Sequence, residues 1–392
     1  MLGQRKGDVV TARDKLESLS RNRGVGLARK KREGIKVVGY FPDEYFPEEL
    51  ALACGAVPLG LCRGGDSDAV YRSGAYITRW IDTFCRAQIG YLTAKDDVYY
   101  ASLDLYVAPI VENNMRIVAD CVNSFTDIPE FRFGVPRQKT ELAYQYYLEG
   151  LYLLKKRLED LTGNEIIDDK VREAIKLCNR ERELLKQISL TRKSESPPIS
   201  GKEFVNLVHH SYVLDKKEMV EVLESYVEEL KTREGLPKGP RLLLTGSELG
   251  WGDYQIIDFV EKWGGNVVIE QYCTALRDFW ENVDLDGDLM ENLARRYFMK
   301  KVNHMAFVPG KERHDLIVKL AKEFSVDGLI WYSPMYCDQA DIEFVWFEKR
   351  WREEIGLPII RLETEYDPYE KYDVGPLKTR VETFLEMLKQ RR

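Results

Sequence analysis

Four reactive side chains lie at the end of, or just past, strand-like runs of this 392-residue sequence. They are the thiols of Cys62, Cys273 and Cys337 and the carboxylate of Glu112. In open sheets of parallel strands, ligands bind in the crevice beyond the carboxyl ends of the strands, so these side chains stand where a site would form. A further thiol, Cys85, lies inside a helical pattern. Thiolates at such positions suit a soft metal ion or an iron–sulfur cluster.

The alternative interpretation of each cysteine is structural, because free cysteine is among the most buried residue types and usually acts as a small hydrophobic side chain. We prefer that interpretation for Cys54, Cys121 and Cys178, which lie in apolar helical segments. For Cys85 and Cys337 the spacing alone favours neither interpretation. The chain has no Cys-x-x-Cys pair, so local spacing by itself does not indicate a metal site.

The remaining signals are weak. His209, His210 and His304 have no thiol or carboxylate at ligand spacing and are predicted to be structural. Neither of the two glycine-rich nucleotide motifs, GxxxxGK[ST] and GxGxxG, occurs, so nucleotide binding through such loops is unsupported. The turn at residues 246–250 (GSELG) follows a strand-like run and only weakly suggests a phosphate contact.

The composition excludes several classes of protein. Lys and Arg number 58 against 65 Asp and Glu, a net charge of −7 without a basic block, which argues against nucleic-acid binding. The longest uncharged run has 13 residues, too few to cross a bilayer, and the basic, polar first thirty residues predict no secretory signal. The seven cysteines are odd in number, so we expect free thiols and a cytoplasmic protein.

Strand-like and helical runs alternate in two parts of the chain and flank a helical part. The pattern predicts an N-terminal helical arm over 1–33, a first α/β domain over 34–136, a helical connecting segment over 137–237 and a second α/β domain over 238–392. Strands are expected at 36–41, 56–62 and 103–111, then at 241–245, 266–270, 328–332 and 358–362. Such alternation is typical of parallel sheets covered by helices on both faces, and here the same architecture is expected twice.

A series of short motifs extends from about residue 34 to the end of the chain. They are 47–58 (PEELALACGAVP), 84–90 (FCRAQIG), 133–137 (FGVPR), 161–163 (LTG), 179–182 (NRER), 197–201 (PPISG), 270–274 (EQYCT) with Arg277, 327–330 (DGLI), 335–338 (MYCD), and 356–363 (GLPIIRLE) with Tyr366 and Asp367. In this order they resemble the benzoyl-CoA reductase / 2-hydroxyacyl-CoA dehydratase family. A match over so much of the chain makes chance similarity improbable.

The resemblance implies two Rossmann-like or flavodoxin-like parallel-sheet domains that face a central crevice. It implies a 4Fe-4S cluster held there by three cysteines, a related partner subunit, and a separate ATP-hydrolysing iron–sulfur protein that supplies single low-potential electrons. The substrate would be an acyl-CoA thioester. The expected function is that of a subunit of an ATP-driven acyl-CoA reductase of the benzoyl-CoA reductase type. The alternatives are a 2-hydroxyacyl-CoA dehydratase subunit and a non-catalytic scaffold subunit with a degenerate cluster site.

Two cysteines match the ligand motifs of the family, and one ligand position differs. Cys85 corresponds to the first ligand and Cys337 to the third, whereas Glu112 stands where the second cysteine is expected. Glu112 is then an iron ligand, a proton donor whose pKa is raised by burial, or a cap for the helix that follows, unless this subunit holds no cluster. We expect Glu112 to lie in the crevice close to both cysteines.

Two further thiols provide an alternative cluster. Cys62 resembles a cysteine of the double-cubane branch of the family, in which more cysteines hold a larger 8Fe-9S cluster. Cys62 or Cys273 would then supply the missing ligand. We rank this alternative below the 4Fe-4S cluster, because the cysteine of the second motif is absent for either cluster.

Overall fold

The computed structural model describes residues 11–41, 45–302, 307–366 and 374–391, and these contain two four-stranded parallel sheets. The first sheet comprises β1 Val37–Tyr40, β2 Val57–Gly60, β3 Leu105–Ile110 and β4 Glu130–Gly134. The second comprises β5 Arg241–Gly246, β6 Asn266–Gln271, β7 Gly328–Pro334 and β8 Ile359–Thr364. Two parallel-sheet domains are therefore confirmed.

Helices cover these sheets and fill the segment between them. They are α1 Ala12–Arg32, α2 Glu48–Ala53, α3 Ser67–Ser73, α4 Thr83–Ala94, α5 Asn113–Phe125, α6 Glu141–Thr162, α7 Asp168–Thr191, α8 Gly201–Ser211, α9 Lys216–Leu230, α10 Gln255–Lys262, α11 Leu276–Phe279, α12 Leu289–Ala294, α13 Lys311–Glu323, α14 Asp338–Glu354 and α15 Val374–Arg391. A π-helical segment, Arg295–Lys300, continues α12. Within the described ranges, none of the helices combines the length and apolar character needed to cross a membrane.

Both sheets have the same strand order. The first runs β2-β1-β3-β4 and the second β6-β5-β7-β8, so the first and third strands of each domain lie side by side at its centre. The chain crosses from one side of the sheet to the other between these two strands. This is the point at which open α/β sheets bind ligands, beyond the carboxyl ends of the strands. The architecture is thus used twice, as the sequence pattern predicts.

A seam of glycines joins the two domains. The loop after β2 pairs with the loop after β5, because the amide of Gly64 donates to the carbonyl of Trp251 at 3.0 Å and the amide of Trp251 donates to the carbonyl of Cys62 at 2.6 Å. A Cβ atom built on Gly250 would lie 2.7 Å from the Cα of Gly64. Real Cβ contacts are not that short, so the close approach of the two backbones requires glycine at this point.

The helical segment between the domains is tied to the first one by buried ion pairs. Arg182 on α7 pairs with Glu49 on α2 at 2.7 Å, and Lys216 on α9 pairs with Glu48 at 2.6 Å and with Glu181 at 2.8 Å. All five side chains are buried, and buried charges persist only when they are paired. These pairs hold α2, and therefore the strands on either side of it, against the connecting helices.

The N-terminal helix is also packed against the rest of the chain. Thr11 caps α1 and forms a capping box with Asp14. Arg23 is buried and donates from Nε to the carbonyl of Val213, and Lys30 pairs with Asp215 at 2.7 Å. Over its described residues, the predicted N-terminal arm is thus a helix docked beside α9.

Candidate active site

The carboxyl edges of the two sheets meet at one small cavity. Its lining includes Glu112, which follows β3, and Cys337, which follows β7, together with Ser247 and Glu248 after β5. Cys85, from the first turn of α4, completes this part of the wall. The structure therefore brings Cys85, Glu112 and Cys337 together at the point where the ligand-binding edges of two open sheets face each other.

Glu112 caps a helix and lies in the cavity wall, close to both cysteines as predicted. It is the N-cap of α5, where Oε1 accepts the amide of Met115 at 2.7 Å and Oε2 accepts the amide of Asn114 at 2.9 Å. Its side chain also lines the cavity. Burial raises the pKa of Glu112 to about 7, and the charge of Asp82 acts in the same direction while the two amide hydrogen bonds oppose it.

Cys85 is placed by the start of α4. Asp82 caps this helix, and its carboxylate accepts the backbone amide of Cys85 at 2.8 Å. The carboxylate therefore lies next to Cys85. Burial raises the pKa of Cys85 well above its ordinary value, and the charges of Asp82 and Glu112 raise it further. In the absence of a cation the thiol therefore stays protonated, and metal binding there would have to displace the proton.

Cys337 is placed by a sharp turn between β7 and α14. Tyr336, just before it, has a φ of 65°, a left-handed conformation that costs a non-glycine residue about 1–2 kcal/mol. Cys337 is the N-cap of α14, but its side chain makes no capping hydrogen bond, and its Sγ lies 3.0 Å from Oγ of Ser247. Burial raises the pKa of the Cys337 thiol well above its usual value, and the charge of Asp82 adds to this.

Cys62 and Cys273 do not line this cavity. The Sγ of Cys62 donates to the carbonyl of His209 at 3.9 Å, and the Sγ of Cys273 donates to the carboxylate of Glu248, one side chain behind the wall. Cys62 follows β2 and Cys273 follows β6, and each of these strands lies at the edge of its sheet. The crevice instead lies beyond the ends of the central strands. Cys54, Cys121 and Cys178 are buried among core residues, as expected.

The histidines fit the structural interpretation as far as they are described. The Nδ1 of His209 is 2.8 Å from the hydroxyl of Tyr254. Burial lowers the pKa of His209 to about 3. His210 contacts the carbonyl of Asn206 and the hydroxyl of Ser20. His304 lies outside the described residues.

Several polar residues of the wall were not predicted from the sequence to belong to the site of the cysteines and Glu112. Asp82, Asn114, Ser247, Glu248 and Gln339 all line the cavity. Ser247 and Glu248 belong to the turn that weakly suggested a phosphate contact, but the carboxylate of Glu248 would repel an anion. Ser247 and Glu248 could have been found from their position directly after β5, because the position after a strand also identified Glu112.

The donor set of the cavity fits iron in kind. Two thiols and a carboxylate are ligands that iron–sulfur centres and iron accept. Within the described part of the chain, however, no three His, Cys, Asp or Glu side chains already stand at metal-binding spacing. The cavity leaves only about 10 Å³ free, roughly enough for one water molecule. Holding a cluster therefore requires the cavity to widen and the two thiols to lose their protons.

The chain matches the protein family described as "2-hydroxyglutaryl-CoA dehydratase, D-component" over residues 44–388, and it belongs to that family. Among its relatives, a putative dehydratase subunit of Escherichia coli is 26% identical over 91% of this chain and 93% of its own length. The (R)-phenyllactyl-CoA dehydratase beta subunit of Clostridium sporogenes is 23% identical over 92% and 94%. A benzoyl-CoA reductase subunit of Thauera aromatica is 25% identical over 79% and 80%. All three relatives are named as enzyme subunits, and the names of the last two refer to dehydration or reduction of a CoA thioester.

Proposed function

We propose that this chain is a subunit of an iron–sulfur enzyme that delivers single low-potential electrons to an acyl-CoA thioester. The observation that supports this most strongly is the convergence of Cys85 and Cys337, one thiol from each domain, on one buried cavity. A 4Fe-4S cluster bound there would supply the electron, and its charge, its exposure and its hydrogen bonds would set the potential.

The residues of the cavity then have separate roles. Cys85 and Cys337 hold the cluster, and the hydroxyl of Ser247 fixes the position of the Cys337 sulfur. We assign Glu112 a proton rather than iron, because burial raises the pKa of its carboxyl group even though two backbone amides favour the ionised form. With a pKa of about 7, Glu112 populates its protonated and its ionised form about equally at neutral pH. This suits a group that gives and regains a proton near a reduced substrate.

We place dehydration of a 2-hydroxyacyl-CoA first among the reactions, although the sequence alone put the reductase first. The family description and the two relatives matched over more than 90% of both chains carry dehydratase names, whereas the reductase relative is matched over about 80%. Dehydration removes a hydroxyl from one carbon and a proton from its neighbour, releases water and returns the electron. Reduction of benzoyl-CoA, the second candidate, instead consumes two electrons and two protons.

A related partner subunit and an ATP-hydrolysing iron–sulfur activator are part of the proposal. The relatives from Clostridium sporogenes and Thauera aromatica are each named as one subunit of an enzyme, and a radical on a substrate must be shielded from water. We expect no turnover from this chain with the activator alone. Full turnover under those conditions would show that no partner subunit is required.

The test is anaerobic purification with the partner subunit, followed by iron analysis and electron paramagnetic resonance. We expect about four irons per chain, as a 4Fe-4S cluster requires, and a cluster signal after reduction. Assays of the complex with a 2-hydroxyacyl-CoA and with benzoyl-CoA then identify the reaction. A complex in which this chain carries no iron would make it the non-catalytic scaffold and overturn the proposal.

A further inference from the structure

An apolar groove opens directly beside the cavity. It encloses about 540 Å³ and is lined by Val308, Ile342 and Trp346 together with the polar residues Arg137 and Gln339, and we call it the Trp346 groove. Its volume is in the range of roughly 300–1,000 Å³ that is usual for small-molecule sites. Gln339 lines both the groove and the cavity, so the two spaces are adjacent at this side chain. Because the cavity itself has room for about one water molecule, the body of any larger substrate must lie outside it.

Arg137 supplies the groove with a positive charge that the described residues leave uncompensated. Its Nε donates to the carbonyl of Val111 at 3.1 Å, directly before Glu112. Among the described residues, no carboxylate forms an ion pair with Arg137, and its two terminal nitrogens have no hydrogen-bond acceptor. The acid of the groove, Glu343, is already neutralised by the buried guanidinium of Arg313. An anionic group would therefore be attracted to Arg137 without competition from the groove's own acid.

Three apolar side chains that line the groove are exposed to solvent, which is unusual for large apolar residues. Ile342 is 64% exposed and Trp346 is 73% exposed, one helical turn apart on α14. Val308, which is 59% exposed, also borders a second recess of about 580 Å³ that shares Arg137 with the groove. The apolar wall and the guanidinium of Arg137 therefore belong to one surface that borders the cavity at Gln339. Large exposed apolar surfaces of this kind mark sites that are covered in the functional state.

We infer that the Trp346 groove binds the coenzyme A part of the acyl-CoA substrate. Arg137 contacts its phosphates, the apolar side chains of Val308, Ile342 and Trp346 contact the pantetheine arm, and the thioester enters the cavity past Gln339. This inference rests on the proposed function for the identity of the ligand, but not for its test. Coenzyme A has an anionic part and a less polar arm, and these match the one cation and the apolar wall of the groove.

Calorimetric titration of the full chain with coenzyme A, and in parallel with pantetheine, tests the inference without any need for iron or turnover. Arg137→Gln should raise the Kd for coenzyme A about tenfold and leave pantetheine binding unchanged, because only coenzyme A carries phosphates. Trp346→Ser should weaken both ligands. The matched control is Arg352→Gln, which removes the same charge from the exposed far end of α14 and should change neither.

Two results would overturn the inference. Equal affinities of Arg137→Gln and Arg352→Gln for coenzyme A would show that the cation does not contact the phosphates. Unchanged coenzyme A binding by Trp346→Ser, together with a lower association state in analytical ultracentrifugation, would show that a protein covers this surface instead. Coenzyme A binding in the groove by a chain that carries no iron after anaerobic purification with its partner subunit would leave this inference standing and refute the proposed function.

Discussion

The two domains offer different side chains from the same position of the same architecture. In each, the residue that caps the helix after the third strand faces the cavity: Glu112 before α5 in the first domain and Cys337 before α14 in the second. The carboxylate of Glu112 is engaged by the amides of its helix, whereas the thiol of Cys337 makes no capping hydrogen bond and contacts Ser247 instead. The fold sets where a functional group stands, and the residue there decides its chemistry.

The contrast extends to the charges around the cavity. The first domain contributes the acids Asp82 and Glu112 with the thiol of Cys85, and the second contributes Glu248 with the thiol of Cys337. In this acidic, buried surrounding the pKa of both thiols is raised well above the usual value, while the pKa of Glu112 is raised to about 7. Of these two thiols and Glu112, therefore, only the carboxyl group of the first domain exchanges a proton at neutral pH.

The largest effect is expected from removing the thiol of either domain. Cys85→Ala and Cys337→Ala should each lose nearly all bound iron, because in the proposed function both thiols hold the same cluster. Iron per chain and visible absorption after anaerobic purification measure this. Cys121→Ala is the matched control, since Cys121 is buried on α5 away from the cavity and should keep its iron. Full iron content in both cavity variants would refute the ligand assignment.

Glu112→Gln tests whether the first domain supplies a proton rather than a ligand. The glutamine oxygen can still accept one of the two amides, so the helix cap is weakened but not removed. The free energy of unfolding should therefore fall by about 1 kcal/mol. We expect normal iron content and turnover reduced by about 100-fold, in the range typical of a lost general acid. Iron analysis and turnover of the same preparation separate the alternatives. Loss of iron would make Glu112 a ligand, and unchanged iron and turnover would make it only a cap.

The pH dependence of folding should differ between the capping residues of the two domains. In the metal-free protein, Glu112 has a pKa raised from 4.5 to about 7, so its contribution to stability is present below pH 4.5 and is lost as the pH rises through 7. Between pH 5 and 7 the wild type should lose about 2 kcal/mol of unfolding free energy relative to Glu112→Gln.

Urea unfolding of the metal-free proteins at both pH values gives this difference. Cys337→Ala should keep the pH dependence of the wild type, because the raised pKa of the Cys337 thiol lies well above this range. Identical pH dependence in the wild type and in Glu112→Gln would mean that Glu112 does not titrate near neutrality.

The smallest effect is expected at the thiol after an outer strand. Cys62→Ala should lower the unfolding free energy by about 1 kcal/mol, as for a small buried side chain, and should leave the iron content unchanged. Thermal unfolding and iron analysis check both parts. Loss of iron from this variant would favour the double-cubane alternative, in which Cys62 is a ligand.

Much of the fold could be predicted from the sequence, because strands buried on both faces give apolar runs bounded by turns. Seven of the eight described strands were predicted in this way. The exception, β4, lies at the edge of its sheet, where Glu130 and Arg132 interrupt the apolar pattern. The π-helical segment at residues 295–300 could not be predicted, because no local pattern distinguishes it from an α-helix.

The sequence identifies residues that follow strands, but it does not show which of those strands are central, and only the central strands place residues in the cavity. Position after a strand identified Glu112 and Cys337, but the same reasoning put forward Cys62 and Cys273, which follow outer strands. Which strands are central depends on pairing between distant segments, and this leaves no mark in the local sequence. The approach of Ser247 to Cys337 depends in addition on the packing of the strands and loops around them, so the sequence could not reveal it.

The glycine seam has a consequence for recombination among relatives. Gly64 and Gly250 belong to different halves of the chain, yet each leaves no room for a side chain on the other, since a Cβ on Gly64 would lie 3.0 Å from the Cα of Gly250. A chimera that takes its two halves from different parents inherits one face of this contact from each. Such hybrids are compatible only when both parents keep glycine at the junction, whatever residues their cavities carry.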